Sequence, residues 1–226
     1  MKSGIPAVSL FFLFSLAAPL YPQIKQAETK SIALPAPQTD GGKPLMQALK
    51  TRQSTREYST KEVGAQELSN LLWAANGISR PGSGKRTSPS AMNLQEIEIY
   101  ISKADGLYLY NAGANALEPV LREDLRGLTG TQPFVKTAPL NLILVADLAK
   151  MKKSGRMNEE NINYYSTIDA GYVSQNIYLY CASEGLVTVV RGSFDRQALT
   201  KAMKLDETKK IIICQTVGYP SGKKKD

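Results

Sequence analysis

The chain of 226 residues is 42% hydrophobic and 21% charged, a globular composition that suits one domain or at most two small ones. It contains no histidine, which excludes a Ser-His-Asp triad, a Cys-His pair and any zinc or haem site built on histidine, so no metal site is expected. The formal charge of +8 comes from scattered residues, which indicates solubility and a few anion contacts rather than nucleic-acid binding.

The first 22 residues have the pattern of an export signal. Lys2 supplies a positive charge, residues 5–20 are apolar, and Ala17 and Ala18 precede Pro19. The apolar stretch is short for a membrane span, although an uncleaved N-terminal anchor remains the alternative. We therefore expect residues 1–22 to be a signal peptide that directs the protein to the periplasm, with membrane attachment only if the segment is not cleaved.

Residues 23–43 contain several prolines and glycines and little apolar periodicity, which predicts a linker. A single folded domain is then expected over residues 44–226. Its first helix is predicted at residues 44–51, with Pro44 in the first position. A second helix is predicted at residues 65–77, because Leu68, Leu71 and Leu72 recur at helical spacing.

The rest of the domain alternates between strands and helices. Strict alternation predicts a strand at residues 96–102, and Asp105-Gly106 predicts a hairpin turn to a second strand at residues 107–110. Further elements follow in chain order: a helix at about 118–128, a buried strand within 139–147, a helix at 161–184 closed by Gly185, a strand at 186–190, a helix at 195–205 and a strand at 211–217. This mixture predicts an α+β fold. Cys181 and Cys214 lie in apolar stretches, which favours two buried unpaired thiols over a disulfide.

Residues 52–56 form the first candidate binding motif. Arg52, Ser54 and Arg56 occupy alternate positions, so in an extended segment their side chains point the same way. Guanidinium groups bind phosphate through charge-assisted hydrogen bonds, and a hydroxyl adds one more. A solvated surface strand is the alternative interpretation.

Three further motifs carry candidate ligand contacts. The loop at residues 88–95 offers hydroxyls and amides to a polyhydroxylated ligand, or is a simple turn. The strand ending at Val190-Arg191-Gly192 lets a ligand approach the backbone, or leads directly into a capped helix. The C-terminal lysines, among them Lys223 and Lys225, add positive charge for a phosphate, or form a solubilising tail.

In their order and spacing, these motifs resemble the nitroreductase family, and in particular its branch of peptide azoline dehydrogenases. The resemblance runs from about Gln47 to Pro220. The segments that carry it are Arg52-x-Ser54-x-Arg56, Ser88-Pro89-Ser90-Ala91-x-Asn93-x-Gln95, Phe134-Val135-Lys136-Thr137-Ala138-Pro139, Asp169-Ala170-Gly171, Gln175-Asn176-Ile177-Tyr178-Leu179, Glu184-Gly185-Leu186, Gly192 and Gly218-Tyr219-Pro220.

The resemblance implies an α+β sheet, mostly antiparallel and flanked by helices, in an interwound homodimer with FMN at each subunit interface. It also assigns residues to FMN: Arg52, Ser54, Arg56, Lys223 and Lys225 near the phosphate, Pro89, Ser90, Asn93 and Gln95 in a loop that reaches the flavin from the partner subunit, and Val190, Arg191 and Gly192 at the reactive ring edge. Family members often carry Glu in place of Arg191. Its side chain therefore either alters flavin potential and substrate preference or points to solvent.

The implied activity is hydride transfer from NAD(P)H to an oxidised small molecule such as a nitroaromatic or a quinone, with the flavin carrying the chemistry. One alternative is a flavin-binding protein of the same fold that does not turn over. A second is a peptide azoline dehydrogenase that acts with a partner enzyme. A third is a basic module that binds anionic polymers in a salt-dependent way.

Overall fold

The computed structural model describes Met1 and residues 30–222. The rest of the predicted signal peptide, the first part of the predicted linker, and Lys223 and Lys225 lie outside the described residues. Within residues 30–222, no helix combines the length and apolarity needed to cross a bilayer.

The described residues form nine β-strands and five α-helices, with short 3₁₀ turns between them. In chain order they are β1 (Ile32–Ala33), α1 (Leu45–Thr51), α2 (Ala65–Asn76), β2 (Ile78–Arg80), β3 (Lys85–Arg86), β4 (Ile97–Lys103), β5 (Gly106–Asn111), β6 (Ala116–Leu121), β7 (Leu140–Asp147), α3 (Leu148–Lys153), α4 (Glu159–Glu184), β8 (Val187–Arg191), α5 (Arg196–Ala202) and β9 (Lys209–Gly218).

Seven of the strands form one sheet in the order β1-β6-β5-β4-β7-β9-β8, and each neighbouring pair is antiparallel. The apolar strand β7 lies inside the sheet between β4 and β9, as its continuous apolar run predicts. The predicted α+β fold with a mostly antiparallel sheet is confirmed.

Alternate residues of β7 serve two separate apolar clusters, because successive side chains point to opposite faces of a strand. Leu142 packs in the cluster that contains α2 and α4 residues, whereas Ile143 packs in the cluster that contains Leu199 of α5. Cys181 belongs to the first cluster and Cys214 to the second, and both thiols are buried and unpaired. The prediction of two unpaired cysteines is confirmed.

The long helix α4 crosses one face of the sheet and carries the residues around which the candidate site is built. The side chain of Asn158 caps its first turn by accepting the N–H of Asn161 at 2.8 Å. Gly185 ends it in the left-handed conformation, at φ +73°, and donates its N–H to the carbonyl of Cys181. The predicted helix and its glycine stop are confirmed.

The helix predicted at about residues 118–128 is wrong. Residues 116–121 form β6, and the segment that follows contains only a 3₁₀ turn at Arg126–Leu128. Asn115, at φ +45°, closes a tight turn that returns the chain onto β5, where Leu117 faces Tyr110. Pairing with β5 on one side and β1 on the other uses the backbone groups that a helix would need.

Residues 30–43, the described part of the predicted linker, pack along the domain. Ile32 and Ala33 add an edge strand to β6. The carbonyl of Pro35 accepts the hydroxyl of Ser69 at 2.6 Å, and Lys43 donates its N–H to Ser183 at 2.7 Å. The prolines thus allow an extended course over the surface of the domain.

Candidate functional site

The segment that follows α1 is extended because it pairs with β8. Ser54 forms a parallel bridge with Thr188, and the N–H of Thr55 donates to the Thr188 carbonyl at 3.0 Å. Ser54 and Arg56 are exposed and Arg52 is partly exposed. The extended backbone expected for the first motif is therefore present, with its polar side chains at the surface.

Tyr178 of α4 joins this segment to the end of β8. Its hydroxyl lies 2.8 Å from Ser54 Oγ and accepts the backbone N–H of Val190 at 3.0 Å. The guanidinium of Arg52 lies 5.4 Å from the centroid of the Tyr178 ring, within the range of a cation–π contact. Two motifs separated by more than a hundred residues thus meet at one buried side chain.

The hydrogen bonds at Tyr178 leave the Ser54 hydroxyl available to a ligand. Since the Tyr178 oxygen accepts from Val190, its own proton is free to point at Ser54 Oγ. We infer that the Ser54 proton then faces outward, beside Arg52. Within residues 30–222, neither Arg52 nor Arg56 forms an ion pair, so this surface offers unpaired positive charge to an anion.

Gly192 follows β8 and leaves open space beside its backbone. It is exposed, and no atom lies within 4 Å of the position that a Cβ would take. Among the described residues, none accepts a hydrogen bond from its N–H. A flat ligand can therefore approach this amide closely, two residues beyond the amide of Val190 that Tyr178 occupies.

The side chain of Arg191 is buried, so the interpretation that it points to solvent is wrong. It is 5% exposed, and Nη2 donates to Asn141 Oδ1 at 2.9 Å. The guanidinium lies 5.6 Å from the centroid of the Phe134 ring and runs beneath Gly130, where a Cβ would clash with Nη1. Nε and Nη1 lack a hydrogen-bond partner among the described residues, and burial lowers the pKa of this side chain.

The loop at residues 88–95 is anchored to the N-terminal half of α4. The N–H of Ala91 donates to Asp169 Oδ2 at 2.7 Å, and Ser90 Oγ accepts the N–H of Gln95 at 3.0 Å. Pro89 and Asn93 are exposed. The Gln95 side chain ties the loop to the β2–β3 hairpin, since its Oε1 accepts from Arg86 Nε at 3.0 Å and its Nε2 donates to the Gly84 carbonyl at 3.1 Å.

The two candidate groups lie apart within a single chain. Asp169 and Tyr178 are nine positions apart on α4, which corresponds to roughly 13 Å along the helix axis. A cavity of about 190 Å³ beside Tyr178 is lined by Thr55 and Thr188 and by neither arginine of the first motif. The two candidate groups are therefore separate within one chain.

The end of the described chain returns to the arginine motif. Pro220 bridges Tyr58 in an antiparallel arrangement, and the N–H of Ser59 donates to the Tyr219 carbonyl at 2.9 Å. Residues 221 and 222 therefore leave the fold beside the segment that follows Arg56.

No site role was predicted for three residues that organise these sites: Tyr178, Asp169 and Glu96. Tyr178 and Asp169 lie on the buried face of α4, where helical spacing predicts core side chains. A polar group at a core position was the available signal, because such groups require hydrogen-bond partners.

Comparison with known proteins agrees with this architecture. The model of the nitroreductase family matches residues 49–219. A nitroreductase-like protein of Methanocaldococcus jannaschii is 31% identical over 173 residues, which cover 72% of this chain and 85% of that protein.

Two solved structures show the same fold. A nitroreductase-like protein of Ralstonia eutropha JMP134 superposes with a TM-score of 0.81 at 40% identity, over 85% of this chain and 90% of that chain. A nitroreductase-like protein of Anabaena variabilis superposes with a TM-score of 0.65 at 22% identity, over 78% of this chain and 38% of that chain.

Proposed function

Because the chain belongs to the nitroreductase family, whose members are generally oxidoreductases, we propose that it is an FMN-dependent oxidoreductase. Its proposed electron donor is NAD(P)H, and its proposed acceptor is an oxidised small molecule such as a nitroaromatic or a quinone. The single observation that carries the proposal is the convergence of Arg52, Ser54 and the end of β8 on Tyr178.

The charges and open groups around Tyr178 fit a phosphorylated flavin. Arg52 and Arg56 have no ion-pair partner in residues 30–222, so an anion is the missing partner that their charge favours. Ser54 adds a neutral donor beside them. In this proposal, Lys223 and Lys225 complete the phosphate site, because the chain leaves β9 next to this segment.

The chemistry of hydride transfer would be supplied by FMN, which accepts a hydride from one substrate and delivers it to another. The protein's task is then to bind, orient and stabilise. Arg52 and Arg56 neutralise the phosphate. The N–H of Gly192 has no acceptor among the described residues, and the space beside its Cα is open. This N–H can therefore donate to the edge of the flavin ring. Val190 has its N–H occupied by Tyr178, so it fixes the strand end instead.

We also propose that two copies of the chain assemble, each completing the other's site. Helix α1 exposes Leu45 (62%) and Met46 (75%), and α4 exposes Tyr164 (61%) and Tyr172 (46%). Large apolar side chains on two adjacent helices are typical of a subunit interface. Assembly would bring the loop at residues 88–95 of one chain to the arginines of the other, which a single chain keeps apart. Light scattering of the purified protein should give twice the mass of one chain. Met46→Glu should shift the measured mass toward that of a single chain.

For the N-terminus we propose cleavage of residues 1–22 and export, with residues 44–226 as the single FMN-binding domain. The test is cell fractionation of the full-length protein in its native host, with sequencing of the mature N-terminus. Recovery in the cytoplasm with Lys2 still present would contradict it, and recovery in membranes would favour the uncleaved anchor.

The function is tested by the absorption spectrum of the purified protein, recorded without oxygen before and after addition of NADH or NADPH. We expect flavin bands that bleach on addition, and FMN as the flavin released by heating. Flavin bands that persist would favour the flavin-binding protein without turnover, or a peptide azoline dehydrogenase that needs its partner enzyme. A colourless protein that takes up no FMN would contradict the proposal.

A further inference from the structure

Two carboxyl groups meet beneath the loop at residues 88–95. Glu96 is fully buried and Asp169 is 3% exposed. Asp169 Oδ2 accepts the N–H of Ala91 at 2.7 Å. No described residue other than Glu96 itself donates a hydrogen bond to its carboxyl oxygens. A buried carboxylate with no donor from a neighbouring residue is strongly unfavourable, so this arrangement requires an explanation.

A proton on Glu96 explains it. Burial and the adjacent Asp169 carboxyl raise the pKa of Glu96 to about 8, because both disfavour a second negative charge. Neutral Glu96 has an O–H that donates to the Asp169 carboxyl, while Asp169 keeps its other oxygen for the N–H of Ala91. One proton then satisfies both side chains at neutral pH.

The cations near this pair are already engaged. Lys150 of α3 lowers the pKa of Glu96, but its Nζ donates to the Gln95 carbonyl at 3.3 Å and lies 3.9 Å from both Glu98 and Asp147. Those two carboxylates also bind Lys209 of β9, at 2.7 and 2.9 Å. On the loop side, Arg86 of β3 donates to the side chain of Gln95 and to the carbonyl of Asn76. Within residues 30–222, no ion pair therefore reaches Glu96 or Asp169.

The loop depends on such an anchor because its backbone is strained. Met92, Asn93 and Gln95 adopt φ angles of 50°, 56° and 52°, in the left-handed region that is unfavourable for residues other than glycine. Strained backbone of this kind persists only where surrounding contacts hold it. The bond from Ala91 to Asp169 ties this strained segment to the rigid helix α4.

We propose that Glu96 and Asp169 share one proton and act as positioning residues that hold the loop at residues 88–95 in the shape it needs to reach FMN. The role of the loop at FMN rests on the proposed function, whereas the shared proton and its hold on the loop do not. When Glu96 ionises, two buried carboxylates repel each other and compete for the Ala91 amide. The loop then loosens and FMN binding weakens.

The test combines two measurements on the purified full-length protein, in the oligomeric state in which it is isolated, between pH 7 and pH 9.5. Hydrogen exchange of the loop amides, expressed as protection relative to the intrinsic rate at each pH, reports the anchor without any flavin. The dissociation constant of FMN reports its consequence. Glu96→Gln keeps a neutral donor beside Asp169 at every pH, Glu96→Ala removes it, and the exposed Glu207→Gln is the matched control.

For the parent and for Glu207→Gln, we expect loop protection and FMN affinity each to fall about tenfold across this range, the effect of one hydrogen bond to a charged acceptor. Glu96→Gln should retain the parent's neutral-pH values of both quantities throughout. Glu96→Ala should show low loop protection and low FMN affinity at both pH 7 and pH 9.5. Equal pH dependence in the parent and in Glu96→Gln would overturn the proposal. If the exchange results hold but no variant binds FMN, the shared proton stands and the proposed function fails.

Discussion

Two regions of α4, around Tyr178 and around Asp169, meet the rest of the protein in opposite ways. Around Tyr178, charged and polar groups lie at the surface, and Arg52 and Arg56 have no ion-pair partner in residues 30–222. Around Asp169, the ionisable groups are buried, and one of them is held neutral. We propose that the first region receives a ligand and that the second holds a loop.

This difference teaches that the same helix supports binding and positioning through different electrostatics. Exposed unpaired cations remain hydrated in water, so their charge costs little free energy before an anion binds. Buried carboxyls avoid charge altogether by retaining a proton. Substitutions at the Tyr178 end should therefore change ligand affinity, whereas substitutions at the Asp169 end should change how affinity and stability depend on pH.

The largest expected effect is at the arginines. In the proposed phosphate site, Arg52→Ala and Arg56→Ala would each remove a charge-assisted contact to FMN of about 1.5–3 kcal/mol, or roughly 10- to 150-fold in affinity. The measurement is the flavin content and FMN dissociation constant of each purified variant. Arg122→Ala is the control, because Arg122 is exposed and follows β6, five strands and about 24 Å from β8. If both variants purify with as much flavin as the parent, the assignment of Arg52 and Arg56 to the phosphate site is wrong.

The next effect concerns stability and pH at Glu96. Between the ordinary carboxyl pKa of 4.5 and the folded pKa of about 8, the unfolded chain has released a proton that the folded chain keeps. The free energy of unfolding should therefore fall as pH rises through this window, by at most about 1.4 kcal/mol per pH unit. Denaturant titrations should show this slope in the parent, reduced in Glu96→Gln and retained in Glu207→Gln. The same slope in Glu96→Gln would contradict a neutral Glu96.

Tyr178→Phe should lower stability by about 1–3 kcal/mol, because the partly buried Val190 amide loses its acceptor. FMN affinity should also fall, since Ser54 loses the hydroxyl that orients it. Tyr180→Phe is the matched control on the same helix, because its hydroxyl donates to the Glu67 carbonyl at 3.3 Å and binds no group of the candidate site. Equal losses in the two variants would show that Tyr178 is no more than a core residue.

The smallest effect is expected at Gly130. A methyl group there would clash with Arg191 Nη1 and lie 3.0 Å from Val135 Cγ1, and the flexible end of the arginine can shift. We expect Gly130→Ala to cost about 1 kcal/mol in thermal or chemical unfolding. Gly113→Ala is the control, because its methyl group meets only Asn111 Oδ1 at 3.4 Å. An unchanged stability would contradict the close packing of Arg191 beneath this loop.

Local patterns predicted most of the fold because most elements follow local rules. Helix α4 has an asparagine cap and a glycine stop, and both are visible in the sequence. β6 was missed because its structure depends on pairing with β1 and β5. The turn at Asn115 that permits this pairing has no marker as strong as Asp105-Gly106.

The candidate site was only partly predictable, for a related reason. Arg52, Ser54 and Gly192 stand in recognisable local motifs, but what joins them is Tyr178, whose partners are distant in sequence. The same holds for Glu96 and Asp169, which adjoin each other only once β4 packs beside α4. Spacing along a chain carries information on faces and turns, whereas contacts between elements emerge from packing.

The most direct test of the central claim is calorimetric titration of the flavin-free protein with FMN and, separately, with riboflavin, which lacks the phosphate. The account predicts one FMN per chain and binding of riboflavin that is weaker by at least about a hundredfold, the loss expected for two charge-assisted phosphate contacts. Equal affinities for the two flavins, or no binding of either, would contradict the assignment of Arg52 and Arg56 as the phosphate site.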